Sequence, residues 1–464
     1  MEEQIANHPV KQTTNEPANQ TADQPTETTN QPAQTTNEPD QTTNEPANQT
    51  TNEPANQTTN EPANQTTNQL TPDGAWCFFA DPRALYYAGQ YKRTYVSWLT
   101  SYGDVRIGFY DHEHEYSESF LVKAALQRDD HANPTLHIDA DGRVTIFYSA
   151  HNGNAMYYRT TAQPETLATL SSERQLPVNT EGGKGYTYPN PVYLKQEKRL
   201  YLFWRGGNFK PAFSTTNDLE NNDWSAARTL IDDRGQRPYI RFASNGEDAI
   251  DFACTDGHPN EEAYNSIYYA RYSNGSIYRA DGTKVKSASD LPLRLEEIDK
   301  VFDGPACQRS AWIWDVAVNK DNHPVLVYAV FVTPEDHRYY YSQWDGAQWQ
   351  TNEITAAGSW FPQTAANAVE REQFYSGGLI LNHADPSIVY LSRQVDGQFE
   401  IECWQTADVG KSWETAPVTA SSAALQIRPF LSRHAAGSPS LLLWMSGEYK
   451  HYADYQTEIQ MRLV

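Results

Sequence analysis

The chain has 464 residues, 38% of them hydrophobic and 12% aromatic, and carries a formal net charge of −23. A surface this acidic repels phosphate backbones and anionic lipid at long range, which argues against nucleic acid and membrane surfaces as partners. No run of about 18 apolar residues occurs, so no transmembrane helix is expected, and the opening Met-Glu-Glu-Gln has neither the basic nor the apolar region of a signal peptide.

Up to Leu70 the sequence is Thr, Asn, Gln, Pro and Glu with scarcely any large apolar side chain. Ten acids between Glu2 and Glu61, against Lys11 alone, account for nine of the excess negative charges. From Gln41 a repeat of eight residues sets in, with Gln41, Gln49, Gln57 and Gln65 each opening Gln-Thr-Thr-Asn. Such a stretch buries too little apolar surface to offset chain entropy, so residues 1–72 read as a disordered acidic spacer. Asn19, Asn48, Asn56 and Asn64 stand in Asn-x-Thr sequons, which a tract of Asn and Thr generates by chance.

From Trp76 onward aromatic residues recur, and residues 73–464 read as one all-β domain. Short alternating or aromatic-rich runs follow at intervals of about 10 to 15 residues, separated by turn residues, as strands and hairpins require. They include VRIGFYD, RLYLFWRGG, AIDFACT, PVLVYAVFV, SIVYLSR and SLLLWMS. Turn signals recur at Asp141-Gly142, Asn274-Gly275, Asp281-Gly282, Asp345-Gly346 and Asp396-Gly397. Helical periodicity is weak, with residues 291–300 the best candidate for one short turn. Thr406-Ala-Asp-Val-Gly-Lys-Ser-Trp413 fits the Asp-box pattern found between the outer strands of sialidase-type propeller blades, and Thr216 to Trp224 is a degraded copy. Repeated hairpins at about 55 residues per unit predict a seven-bladed β-propeller, with a double-sheet sandwich as the competing all-β arrangement. Cys77, Cys254, Cys307 and Cys403 lie far apart without a Cys-x-x-Cys spacing and read as buried free thiols.

Asp129-Asp-His-Ala-Asn-Pro precedes one strand and Tyr148-Ser-Ala-His-Asn-Gly follows the next, so a hairpin can bring His131 and His151 to the same end of a blade. Imidazoles titrate near neutrality and suit proton transfer, although each alone reads equally as a turn cap. Tyr188 opens a strand and Arg205 ends its partner. Arg binds carboxylates in bidentate fashion, and Gly206-Gly207 would let a ligand approach the backbone. Arg237, Tyr239 and Arg241 could extend an anion-binding cleft, with Trp312 and His337 as further sugar contacts. Cys254, Asp256 and His258 are permissible ligands for a structural calcium or zinc ion, but their spacing specifies no metal and equally fits a structural turn.

The strings DDHANP, DGRVTIFYSAHN, YTYPNPVYL, YLFWRGG, RPYIRF, TDGHP, AWIWDVAV, DHRYYYSQWDG and YSGGL, in that order, resemble the bacterial-neuraminidase-repeat propeller proteins that include ulvan lyases and rhamnosyl-glucuronate lyases. The resemblance implies a seven-bladed propeller whose His131, His151, Tyr188 and Arg205 act on a uronate by β-elimination. It implies an acidic polysaccharide or oligosaccharide substrate; the chain is further expected to need no cofactor for the chemistry and to be a monomer. It also implies an extracellular or cell-surface setting, which the missing signal peptide leaves open against the cytoplasm. A sialidase-like hydrolase would need an arginine triad with an early Arg-Ile-Pro-like motif, and the nearest string is Asp81-Pro-Arg83. A non-catalytic glycan-binding propeller would not require the four candidate catalytic side chains together.

Overall fold

Runs that alternate large apolar with small or polar residues form strands, and short turns fold each strand back on the one before it. Asn274-Gly275 and Asp396-Gly397 take positive φ at both residues, at 47° and 71° and at 51° and 86°. That is the backbone of the tight turns whose twist matches paired strands. The computed structural model describes residues 68–233, 237–361, 372–433 and 437–464. Over them the chain is a seven-bladed β-propeller of seven antiparallel sheets.

Blade 1 runs from Ala84–Ala88 to Tyr116–Lys123, blade 2 from Thr135–Ile138 to Arg174–Gln175, and blade 3 from Thr187–Leu194 to Arg228–Thr229. Blade 4 starts at Ile240–Ser244 and carries six strands, the last being Asp299–Phe302. Blade 5 runs from Ser310–Val318 to Trp349–Gly358 and blade 6 from Leu379–Leu381 to Glu414–Pro417. Blade 7 takes three strands from the C-terminal end, beginning at Leu425–Leu431, and its fourth is Asn68–Thr71, which pairs antiparallel with Asp454–Leu463. The propeller therefore includes four residues that the sequence reading assigned to the tail. Asn-Gln-Leu-Thr is too short and polar to be recognised as a strand, and its pairing partner lies almost 390 positions away.

The Asp box closes as a side-chain-wired turn between the last two strands of blade 6. Asp408 accepts from the Ser412 backbone N–H at 2.8 Å, Thr406 Oγ1 from Gly410 N–H at 2.8 Å, and the Trp413 indole donates to the Gly410 carbonyl at 3.1 Å. The degraded copy occupies the same place in blade 3, where Asp218 accepts from Asn221 N–H at 3.0 Å. The helical part of residues 291–300 is a 3₁₀ turn, Leu295–Glu297, after which the strand Asp299–Phe302 begins. Cys77 and Cys254 are buried free thiols as expected, whereas Cys307 is exposed and Cys403 half-buried.

Trp76 to Arg83 fills the place where the innermost strands converge. The Trp76 indole donates to the Arg428 carbonyl of blade 7 at 3.1 Å, Cys77 N–H to Asn133 Oδ1 beside blade 2 at 3.1 Å, and Asp81 N–H to Asn190 Oδ1 of blade 3 at 3.1 Å. Phe78 stacks on Trp314 of blade 5 at 3.8 Å and Phe79 packs on Tyr239 at 4.7 Å. This axial segment is the floor on which the candidate site rests. No helix among the described residues is long and apolar enough to cross a membrane.

Candidate active site

In each blade the first strand starts, and the second ends, at the same end of the propeller, as the Thr187↔Arg205 pairing shows. Residues near the start of first strands and the end of second strands therefore collect around one mouth; His131 and His151 lie just outside such strands, and Tyr188 and Arg205 at their ends. Asp129 caps the 3₁₀ turn Asp130–Ala132 ahead of blade 2, its carboxylate accepting the His131 N–H at 3.0 Å. His151 follows the second strand of that blade. Tyr188 lies at a bulge in the first strand of blade 3 with φ 60°, a left-handed conformation that is strained for a bulky residue.

The Asp129 carboxylate bridges both imidazoles, Oδ1 to His131 Nδ1 at 2.7 Å and Oδ2 to His151 Nδ1 at 2.9 Å. The rings stack with centroids 4.4 Å apart, 10° from parallel. Burial opposes ionisation of Asp129, yet the two histidines hold its carboxyl well below the usual range. An ionised carboxylate only accepts, so both Nδ1 atoms carry hydrogen, and the lone pair of a neutral ring is left on Nε2. Burial opposes the charge on His131, but the Asp129 carboxylate raises its pKa above the ordinary value. Burial and then the neighbouring His131 charge push His151 down to about 4. The upward shift of His131 and the downward shift of His151 make His131 the ring of the pair that holds a proton more firmly, beside a neutral His151 whose Nε2 has a lone pair. The Tyr375 hydroxyl lies 3.2 Å from His131 Nε2, and Tyr452 stands edge-on to His131 at 4.7 Å.

Arg205 has only neutral partners. It donates to the Tyr239 hydroxyl at 3.2 Å, Asn152 Oδ1 at 3.2 Å and Thr187 Oγ1 at 3.3 Å, and its Nε is buried with no acceptor. Its guanidinium sits 4.9 Å from the Tyr188 ring centroid and 4.6 Å from that of Phe209. No carboxylate among the described residues pairs with it, so the cation has no counter-charge there. Burial, then Tyr239, pushes the Tyr188 phenol well above its ordinary value, keeping it protonated at any ordinary pH.

The remaining expectations divide. Arg237 and Tyr239 lie at the mouth, with Arg237 paired to Glu261 at 2.8 Å and 5.0 Å from the Phe209 centroid. His258 joins them, its ring 4.9 Å from Trp312, and burial lowers its pKa to about 3. Trp312 is 1% exposed under Phe78, Phe79 and Tyr375, so it supports the floor and cannot stack on a sugar. His337 is fully buried, bonded to Ser376 Oγ at 2.8 Å and packed on Phe331, away from any cleft. Arg241 points to Asp315 and Asp81 further down the axis. Gly206-Gly207 makes room for the chain's own Thr180 rather than for a ligand.

The expected metal ligands do not fit an ion. Asp256 accepts from the Tyr268 hydroxyl at 2.9 Å and the Ser266 N–H, while His258 Nδ1 accepts from Asn260 N–H at 3.1 Å. Among the described residues, the groups with metal-like spacing are Asp129, His131 and His151, and Cys77, Asp130 and His131. Arg428 already neutralises Asp130 in the second group, and burial, then Asp130, pushes the Cys77 thiol up to about 12, which disfavours a thiolate ligand. Sequence reasoning gave no role to Asp129, Asn152 and Tyr452. The doubled acid in Asp129-Asp130-His131 was the one local signal for the first.

A family model described as "BNR repeat-containing family member" matches residues 93–357. No protein of curated function matches the sequence. Among solved structures, an ulvan lyase of a new polysaccharide lyase family, bound to -[GlcA(1-4)Rha3S]-, superposes with a TM-score of 0.66 at 16% identity, covering 85% of this chain and 95% of that one. A second polysaccharide lyase gives a TM-score of 0.56 at 12% identity over 85% of this chain and 97% of that one. At such identities these likenesses speak for the fold.

Proposed function

This chain belongs to the BNR repeat-containing family, and on that premise we propose that it is a polysaccharide lyase that cleaves a uronate-containing glycan by β-elimination. The observation that carries the reading is the pairing of an uncompensated, buried Arg205 with two histidines sharing one carboxylate. Arg205 and the His131 imidazolium neutralise the uronate carboxylate, which acidifies the C5 proton and stabilises the carbanion-like transition state. His151 Nε2, neutral above about pH 4, takes that proton. The C4–O4 bond then breaks, O4 accepting a proton from the Tyr188 hydroxyl, and a C4–C5 double bond remains. The protonation states thus favour His151 over His131 or Tyr188 as the base, and His131 over His151 beside the carboxylate.

The glucuronate–rhamnose ligand named for one structural neighbour makes a rhamnose–glucuronate linkage the first substrate to try. An acidic glycan outside the cell suits the reading, with the repeat-rich residues 1–67 as a spacer, and no metal takes part in the chemistry. The test is ultraviolet absorbance during incubation with ulvan, gum arabic and glucuronan, with His131→Ala and Arg205→Ala as controls. Absorbance that rises with the wild type and is lost in both variants supports the lyase. A flat trace on every glycan, with all proteins folded, moves the reading to a glycan-binding propeller.

A further inference from the structure

A second concentration of charge lies toward the other end of the axis, where first strands finish. Six ionisable side chains meet there: Asp81 and Arg83 of the axial segment, Arg241 of blade 4, Asp315 of blade 5, and His383 and Arg433, each two residues beyond the first strand of blades 6 and 7. Asp315 Oδ1 is 3.4 Å from Arg241 Nη2 and 3.3 Å from Arg433 Nη2, and its Oδ2 is 3.0 Å from His383 Nε2. Asp81 pairs with Arg83 at 3.2 Å and with Arg241, and lies 3.7 Å from Arg433.

The cluster does not balance. Three guanidinium groups face two carboxylates, and His383 adds no negative charge in either state. Burial and then the Arg433 charge also lower the His383 pKa, so the ring is neutral at pH 7. One positive charge is in excess in a low-dielectric interior, which is costly unless it is paired. The donors do not balance either. Among the described residues, Nε and Nη1 of Arg241, itself 1% exposed, and Nη1 of Arg433 are buried without an acceptor. Two arginines whose Nη2 atoms converge on the same carboxylate oxygen thus each keep further N–H groups unmet.

We propose that Arg241 and Arg433 bind a small monovalent inorganic anion, chloride being the natural candidate. A single excess charge calls for a monoanion, and the burial of Arg241 calls for a compact one. A glycan carboxylate does not suit the place, because the uronate residues gather where first strands begin. His383 and Arg433 keep 20% and 15% of their side chains exposed, which gives an ion a way in from this end. Once bound, the anion joins blade 4 to blade 7 through two arginines that also flank Asp81 of the axial segment.

The test combines bromide soaking of crystals, read by anomalous scattering, with thermal melting in sodium chloride against sodium gluconate at equal ionic strength. The expected results are an anomalous peak beside Arg241 and Arg433 and a saturable rise in melting temperature of about 2 to 4 °C specific to chloride. Arg433→Gln, still folded by circular dichroism, should lose that rise. No peak, a peak without a chloride-specific rise, or an equal rise in gluconate or in Arg433→Gln would each overturn the proposal and leave water as the partner of these arginines.

Discussion

Replacing Asp129 by Asn removes one charge and leaves the shape almost unchanged. The carboxylate accepts three hydrogen bonds, from His131 N–H at 3.0 Å, His131 Nδ1 at 2.7 Å and His151 Nδ1 at 2.9 Å. An amide has one oxygen and one NH₂, so one imidazole must meet a donor and turn its Nδ1 into an acceptor. If that ring is His151, the proton moves to Nε2 and the base is lost; if it is His131, the imidazolium cannot persist. Either way a charge-assisted bond of about 2 kcal/mol is forfeited. In the catalytic triad of serine proteases the same acid-to-amide change costs about 10⁴ in kcat through the wrong tautomer. We therefore expect Asp129→Asn to lower kcat/KM by about 10³ to 10⁴, or about 4 to 5.5 kcal/mol of transition-state stabilisation. The assay is the initial rate of unsaturated-uronate absorbance on whichever glycan the wild type cleaves, with folding checked by circular dichroism. A loss of less than about tenfold in a folded variant would refute the shared-carboxylate account.

Because catalysis needs His151 neutral and His131 charged, kcat/KM for the wild type should rise with pH around 4 and fall at a pH above about 6.5, a bell that Asp129→Asn should narrow from its alkaline side. Tyr188→Phe should keep substrate binding but lower kcat by about 10² to 10⁴, a split between kcat and KM that a purely packing role would not give. Stability should decline on acidification. His151, His258 and His337 have folded pKa values near 4, 3 and 4, below the ordinary 6.5. The stability each contributes is therefore complete above pH 6.5 and lost as pH falls toward those values. Between pH 6.5 and 5 that is roughly 2 kcal/mol per histidine, read by urea denaturation, and a flat profile would contradict it. His131, shifted upward, loses its contribution only as pH rises through its folded value. Finally, a chain starting at Ala63 should melt like the full chain, whereas one starting at Pro72 loses the strand Asn68–Thr71 and should be less stable by a few kcal/mol in calorimetry.

Most of the propeller was legible because its signals are local. Alternation marks strands, Asp-Gly pairs mark turns, and the Thr406–Trp413 box specifies its own hydrogen bonds. The closing strand was not legible, since Asn68–Thr71 depends on a partner at the other end of the chain. That the four candidate side chains share one end was legible because His131 and His151 flank one hairpin, while Tyr188 lies at the start and Arg205 at the end of another. Direction along a strand was harder. Tyr239 and Arg241 are two residues apart, one just before a strand and the other within it, yet one meets Arg205 at the mouth and the other meets Asp315 below it. Trp312 and His337 were misplaced because aromatic residues serve floor and cleft alike, and only tertiary burial separates the two.

The central claim is elimination, and the most direct measurement is the mass spectrum of oligosaccharides released in heavy-oxygen water. The account predicts products carrying an unsaturated uronate, lighter than the hydrolysis products by one water, with no heavy oxygen at the new ends. Incorporation of one heavy oxygen per cleavage would contradict it and assign the propeller to hydrolysis.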